Sequence, residues 1–143
     1  MKSPTAAILV IGDEVLKGQV QDANTFHLAK ELKEIGVKVQ RVVIVPDDID
    51  VIACEVSELS EKFDYLFTCG GCGPTHDDCT FEAVAKAFNE ELFAHPDIVD
   101  VLKMHFKDNI TESILKMAKV GQFKFTFFYN ILFFKLDPYD LLK

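Results

Sequence analysis

Arginine occurs once in 143 residues, as Arg41, and cysteine only four times. A single Arg excludes an Arg-rich mitochondrial presequence. Four Cys are too few for a disulfide-dense scaffold, and Cys69, Cys72 and Cys79 stand too close together to staple distant elements, which points to a reducing compartment. Long hydrophobic runs are missing as well. The opening apolar stretch at residues 6–11 is soon closed by Asp13 and Glu14, too short for a signal peptide, and nothing reaches the ~20 apolar residues of a membrane span. Positive charge is also scarce: 15 Lys plus Arg against 23 Asp plus Glu give a net charge of −8, which repels nucleic-acid backbones and anionic membranes. The expectation is a soluble, cytoplasmic chain with no nucleic-acid or membrane partner. Small anions can still bind locally, through backbone amides or a divalent metal.

What is present suits one folded domain: 49% hydrophobic and 27% charged residues, with no low-complexity tract. Residues 6–11 read as a buried strand that runs into a loop carrying Asp13, Glu14, Gly18 and Asp22. Leu28, Leu32 and Ile35 then recur at helical spacing, with Asp22 or Asn24 as N-cap and Gly36 as stop. Val37, Val39 and residues 42–45 make a second strand ending at Pro46, and Asp47 or Asp48 can cap a helix whose inner face is Ile49, Ile52, Val56 and Leu59. Residues 65–68 form a third strand that enters a Gly-rich turn. A helix follows from near Asp78, with Phe81, Val84, Ala85 and Phe88 inward, and Pro96 opens another that carries Ile98, Val101, Leu102 and Phe106. Strands alternating with amphipathic helices predict an α/β fold with a mostly parallel sheet and helices on both faces. Ligands bind such sheets at the carboxyl ends of the strands, and all three strands here exit into acidic or Gly-rich sequence.

Gly70, Gly71 and Gly73 let backbone amides approach a phosphate at a helix N-terminus, although neither a P-loop Lys nor a complete G-x-G-x-x-G is present. The ordinary alternative is a tight turn. Asp77 and Asp78 beside the loop, with Asp13 and Glu14 at the neighbouring strand end, offer hard oxygens for a divalent cation such as Mg²⁺ or Co²⁺. Helix capping would account equally for Asp78 and for Asp47 or Asp48, but not for carboxylates at three strand ends together. Cys69, Cys72, His76 and Cys79 have spacing that zinc or a redox pair could use. A chain with its own core needs no structural zinc, and buried Cys usually serves as a small hydrophobe, so no zinc is expected. Residues 121–143 change character abruptly, with six Phe inside 121–136. Alternation of Phe123, Phe125, Phe127 and Tyr129 suits a half-buried strand, while the composition as a whole predicts a poorly fitting, aggregation-prone appendage.

Two ordered stretches, Gly12-Asp13-Glu14-Val15-Leu16-Lys17-Gly18-Gln19-Val20-Gln21-Asp22-Ala23-Asn24-Thr25 and Gly70-Gly71-Cys72-Gly73-Pro74-Thr75-His76-Asp77-Asp78-Cys79-Thr80-Phe81-Glu82-Ala83, resemble the molybdopterin-binding, MoaB/Mog-like domain. The variant that looks closest is the one at the N-terminus of eukaryotic FAD synthase and in the CinA proteins. Over residues 5–120 the resemblance implies a three-layer α/β sandwich, a nucleotide or pterin over the Gly-rich loop, and self-association. It further implies Asp78 and one of Asp47 and Asp48 as catalytic carboxylates. Gly12, Gly70, Gly71, Gly73, Thr75 and Thr80 would serve as phosphate or nucleotide contacts, with Asp13, Glu14, Asp77 and Asp78 as metal ligands. In the FAD synthase and CinA branches the similar domain is associated with metal-dependent hydrolysis of FAD or ADP-ribose. His76, where the molybdopterin branch usually has Arg, favours that branch. FAD synthesis belongs to a separate adenylyltransferase domain for which residues 1–143 leave no room, and residues 121–143 resemble nothing in the family. The alternatives to a hydrolase are a binding or regulatory module without turnover, or a truncated product.

Overall fold

In the computed structural model, which describes residues 3–121, 125–128 and 131–135, the first apolar run forms β1 (Thr5–Ile11). Its side chains alternate between two cores. Ala7, Leu9 and Ile11 pack with Ile52, Val56 and Leu59 of α3 (Ile49–Lys62) and with Phe81 and Val84 of α4 (Thr80–Ala87). Ala6, Ile8 and Val10 pack on the opposite face with Leu32 of α2 (Ala23–Glu34). A strand covered on both faces has no polar alternation, which is why residues 6–11 are uniformly apolar. Full burial of each Leu, Ile or Val there contributes roughly 1.5–3 kcal/mol.

β1 is flanked in parallel by β2 (Lys38–Val45) and β3 (Tyr65–Cys69), giving the predicted three-layer α/β arrangement. The chain passes from β1 to one neighbour and then crosses to the other side of β1. The carboxyl ends of the three strands therefore splay around a crevice, as at the switch point of an open α/β sheet.

Local signals place the helices. Asp22 caps α2 by accepting the Thr25 amide at 3.0 Å, and Gly36 follows its end at φ +84. Asp48, and not Asp47, caps α3, accepting the Asp50 and Val51 amides at 2.9 and 3.0 Å. α5 (Pro96–Phe106) has Pro at its first turn. Beyond it lie a 3₁₀ turn (Lys107–Asn109), α6 (Glu112–Lys116), and β5 (Lys119–Val120) paired with β4 (Phe93–Ala94).

Several sequence expectations are corrected. Residues 13–16 are a single helical turn, α1 (Asp13–Leu16), and not a loop. Ile35 lies beyond the end of α2 and Val101 on the outer face of α5, so both are exposed. α4 begins at Thr80, and its N-cap residue is Cys79, with no side-chain cap; Asp78 does not cap it. The segment expected as an appendage contributes β6 (Phe125–Phe128) and β7 (Ile131–Lys135). β7 pairs antiparallel with β3 and β6 with β7, so the sheet reads β2-β1-β3-β7-β6. Phe123 and Tyr129, predicted in the same strand as Phe125 and Phe127, lie outside the described residues.

Candidate functional site

The crevice is built on three strand ends. After β1, Gly12 gives its amide to the Val45 carbonyl of β2 at 3.0 Å, so it closes the sheet and is not free for a ligand. Gly12 has no side chain to cap α1. The Asp47 carboxylate, from the end of β2, takes that place and accepts the Asp13 amide at 2.9 Å. One turn on, Lys17 reaches back to Asp13, its Nζ 2.5 Å from Oδ2.

After β3, the Gly-rich loop is shaped from inside the protein. Gly70 sits at φ +97, and a Cβ there would lie 2.0 Å from the Ile11 carbonyl oxygen. Gly71, at φ +61, leaves room for the Thr80 hydroxyl, which donates to the Gly70 carbonyl at 2.8 Å. Gly73 faces the Asp78 carboxylate, where a Cβ would come within 2.7 Å of Oδ2. That carboxylate braces the loop: it accepts the Thr75 amide at 2.8 Å and the Thr75 hydroxyl. From α6, the Lys116 ammonium fastens the same loop by donating to the Asp78 carbonyl at 2.7 Å and the Thr75 carbonyl at 3.4 Å.

These pieces enclose a cavity of about 490 Å³ lined by Asp13, Glu14, Asp47, Asp77 and Asp78, with Ile11, Lys17, Gln19, Gly71 and Thr75. A second cavity of about 500 Å³ adjoins it across Asp47 and Asp77 and contains Asp48, His76 and the Lys86–Asp50 ion pair. The carboxylates are not equivalent. Burial, with repulsion from Glu14, Asp13 and Asp77, pushes the Asp47 carboxyl above its ordinary range despite the Asp13 amide. Burial also works to raise Asp78, but the Thr75 hydroxyl, the Gly73 and Thr75 amides and the Lys116 charge outweigh it and hold Asp78 low. Asp13 is held low by its hydrogen bond and ion pair with Lys17.

Of the residues singled out from sequence, Asp13, Glu14, Asp47, Asp77, Asp78, Gly71 and Thr75 meet at this cavity. Asp48 is spent on capping α3 and lines only the second cavity. Gly12, Gly70, Gly73 and the fully buried Thr80 shape the backbone and do not line the first cavity. Cys69, Cys72 and Cys79 are buried free thiols, and burial pushes Cys69 and Cys72 up to about 12. Among the described residues no three His, Cys, Asp or Glu side chains stand together as a ready metal-binding group. Asp13, Glu14 and Asp77, which line one cavity, are oxygen donors of the kind a hard cation takes. Asp78 suits that role less well, because its oxygens already serve the loop. Lys17 and Lys116 were not singled out. Lys17 is visible once residues 13–16 are known to be helical, since it then stands one turn from Asp13. Lys116 lies 38 residues from Asp78 and carries no local signal.

A family model described as a probable molybdopterin binding domain matches residues 7–129. A probable FAD synthase of Caenorhabditis briggsae is 42% identical over 110 residues, covering 77% of this chain and 19% of that protein. A CinA-like protein of Desulfosudis oleivorans is 43% identical over 101 residues, covering 71% and 24%. The chain therefore spans less than a quarter of the length of either relative. Among solved structures, CinA of Thermoplasma acidophilum superposes with a TM-score of 0.78 at 33% identity, over 82% of this chain and 71% of that one. MoaB of Pyrococcus furiosus shares the fold, with a TM-score of 0.57 at 22% identity over 80% and 69%. No described helix is long and apolar enough to cross a membrane. By sequence match and by fold, the chain belongs to the MoaB/Mog-like family of probable molybdopterin-binding domains, and is related to the FAD synthases and the CinA-like proteins.

Proposed function

We propose that this domain binds a nucleotide or pterin carrying phosphate at the carboxyl edge of its sheet and, with a divalent cation, hydrolyses a dinucleotide pyrophosphate such as FAD or ADP-ribose. The observation that carries this reading is the gathering, among the described residues, of five carboxylates and one Lys around a single cavity. Such a lining repels a pyrophosphate unless a cation intervenes. A bound Mg²⁺ or Co²⁺ would neutralise phosphate oxygens and acidify a water. Asp13, Glu14 and Asp77 would hold the cation. Asp47 would accept the proton of the attacking water, a task that its raised carboxyl pKa suits. Asp78 would contribute by holding the Gly-rich loop in shape beside the phosphates. In hydrolysis of FAD, the water oxygen joins one phosphorus, the P–O–P bridge breaks toward the other, and FMN and AMP leave.

The test is chromatography of FAD or ADP-ribose incubated with the purified chain and Mg²⁺ or Co²⁺. We expect AMP formation that EDTA abolishes and that Asp47→Asn lowers at least ~100-fold. FMN and ATP should yield no FAD. No AMP under any of these conditions overturns the hydrolase reading. A binding module without turnover is favoured by one observation, the commitment of the Asp78 carboxylate to the Thr75 amide and hydroxyl. It predicts saturable ADP-ribose binding with no product. A cytoplasmic setting, which the free thiols suit, and self-association, which light scattering measures, belong to the same proposal.

A further inference from the structure

Lys116 is held where it acts on the Gly-rich loop without entering the acidic cavity. Its side chain is 29% exposed, against 59%, 53% and 58% for Lys17, Lys62 and Lys86. The Glu82 carboxylate stands 3.8 Å away, beyond hydrogen-bond range, so the ammonium directs its donors to backbone: the Asp78 carbonyl at 2.7 Å and the Thr75 carbonyl at 3.4 Å. A trans peptide is planar, with C=O and N–H on opposite sides. The Thr75 carbonyl shares its peptide with the His76 amide, and the Asp78 carbonyl with the Cys79 amide, so both amides point away from Lys116. Neither amide donates to another group among the described residues. His76 and Cys79 line the second cavity, and Thr75 and Asp78 the first, whereas Lys116 lines neither.

We infer that Lys116 is a positioning residue: from behind the Gly-rich loop it orients and polarises the 75–76 and 78–79 peptides, so that the His76 and Cys79 amides meet a phosphate of the bound ligand. This inference rests on the reading that a phosphate-bearing nucleotide or pterin binds at this loop, and it needs no metal ion. A hydrogen bond from a charged donor strengthens the dipole of the peptide that accepts it, and the N–H at the far end becomes a better donor. Placement behind the loop matters because of the carboxylates around the first cavity. An ammonium among them pairs with a carboxylate, as Lys17 does with Asp13. The Lys116 charge instead reaches a phosphate through two neutral peptides. α6 thereby contributes to the ligand edge, although none of its side chains lines either cavity.

The probe is α,β-methylene-ADP, a nucleotide whose P–C–P bridge is not hydrolysed, so binding is read without turnover. Its affinity for the full chain is measured by calorimetry with Mg²⁺ present, and the backbone amides are followed in ¹H–¹⁵N spectra. Wild type is compared with Lys116→Met, Lys116→Gln, Lys116→Arg and Lys119→Met. Lys119 lines the same small cavity as Lys116 but bonds no loop carbonyl among the described residues. We expect Lys116→Met and Lys116→Gln to bind the probe about tenfold more weakly, Lys116→Arg to stay within about threefold of wild type, and Lys119→Met to match it. Lys116→Gln carries the comparison if Lys116→Met does not fold. The His76 and Cys79 amide signals should move when the probe is added to wild type, and move less in the two neutral variants. A lysine that only stabilised α6 would lower the melting temperature and leave the response of these two amides as it is. Unweakened binding in the neutral variants overturns the inference. So do a loss in Lys116→Arg or Lys119→Met equal to that in the neutral variants, and His76 and Cys79 signals that respond as in wild type. No binding by wild type overturns the reading of the site on which the inference rests, and the inference with it.

Discussion

Asp47 and Asp78 lie in the same cavity, and their environments drive them in opposite directions. Asp47 holds its proton more tightly in the folded state than in the unfolded chain. Its effect on stability is therefore favourable below the ordinary Asp value of 3.8 and is lost as pH rises through its raised folded value. Asp47→Asn should accordingly raise the melting temperature at pH 7 by roughly 1–3 °C, and the gain should vanish as the pH falls below that value. Asp78 is depressed, so its stabilisation is present above 3.8 and is lost as pH falls through its lowered folded value. The Thr75 amide and hydroxyl both fall on Oδ2, so an amide at 78 can keep that acceptor, but it loses the negative charge that strengthens these bonds and attracts Lys116. Asp78→Asn should thus cost about 1–3 kcal/mol at pH 7. Urea unfolding of both variants between pH 3 and pH 8 checks the two signs together. If Asp78→Asn melts like wild type at pH 7, the brace assigned to this residue is wrong.

At the scale of elements, the Gly-rich turn is an internal fitting between β1, β3 and α4 before it is a ligand loop. Gly70 is needed twice over, for φ +97 and for the approach of Ile11. Gly70→Ala should cost above ~4 kcal/mol and leave little soluble protein, because backbone would have to move on both sides. Gly18 also has positive φ, at +68, but a Cβ there meets nothing within 4 Å. Gly18→Ala should cost only about 1 kcal/mol, the intrinsic preference against the left-handed region. Soluble yield and chemical denaturation of the two variants separate close packing from conformation; similar losses in both would contradict the packing account.

For the whole molecule, β6 and β7 decide how far the fold extends. Five residues of β7 pair with β3, from Tyr65 opposite Lys135 to Cys69 opposite Ile131. Ending the chain at Val120 would leave β3 paired on one side only, and a bare apolar edge recruits other chains. We expect the truncated form to melt at lower temperature and to run as aggregates in size-exclusion chromatography. A monodisperse truncation with an unchanged melting temperature would show that the hairpin adds nothing to the sheet. The Phe-rich composition of residues 121–136 reads the same whether such a strand is added to a sheet or left outside one, so only the pairing distinguishes the two.

Much of the architecture was legible because it rests on local physics. The uniformly apolar run of β1, the helical spacing of Ile52, Val56 and Leu59, and the Asp22 cap each depend on residues near in sequence, and they were enough for an α/β fold with its ligand edge at the strand ends. The same reasoning brought Asp13, Glu14, Asp47, Asp48, Asp77 and Asp78 to that edge as a group, and all but Asp48 line the first cavity. It could not divide their labour. Whether Asp47 or Asp48 caps α3 turns on a fraction of a turn of backbone, and either residue satisfies the local pattern. That Asp78 braces the Gly-rich loop, and that Lys116 fastens it from 38 residues away, are long-range contacts with no periodic trace. Charge, burial and hydrogen bonding at one carboxylate are set by whichever groups the fold brings within a few ångströms, so the sequence by itself determined the sheet and its acidic edge, and only the tertiary structure decided which acid is paired, which is strained by its neighbours and which holds the loop.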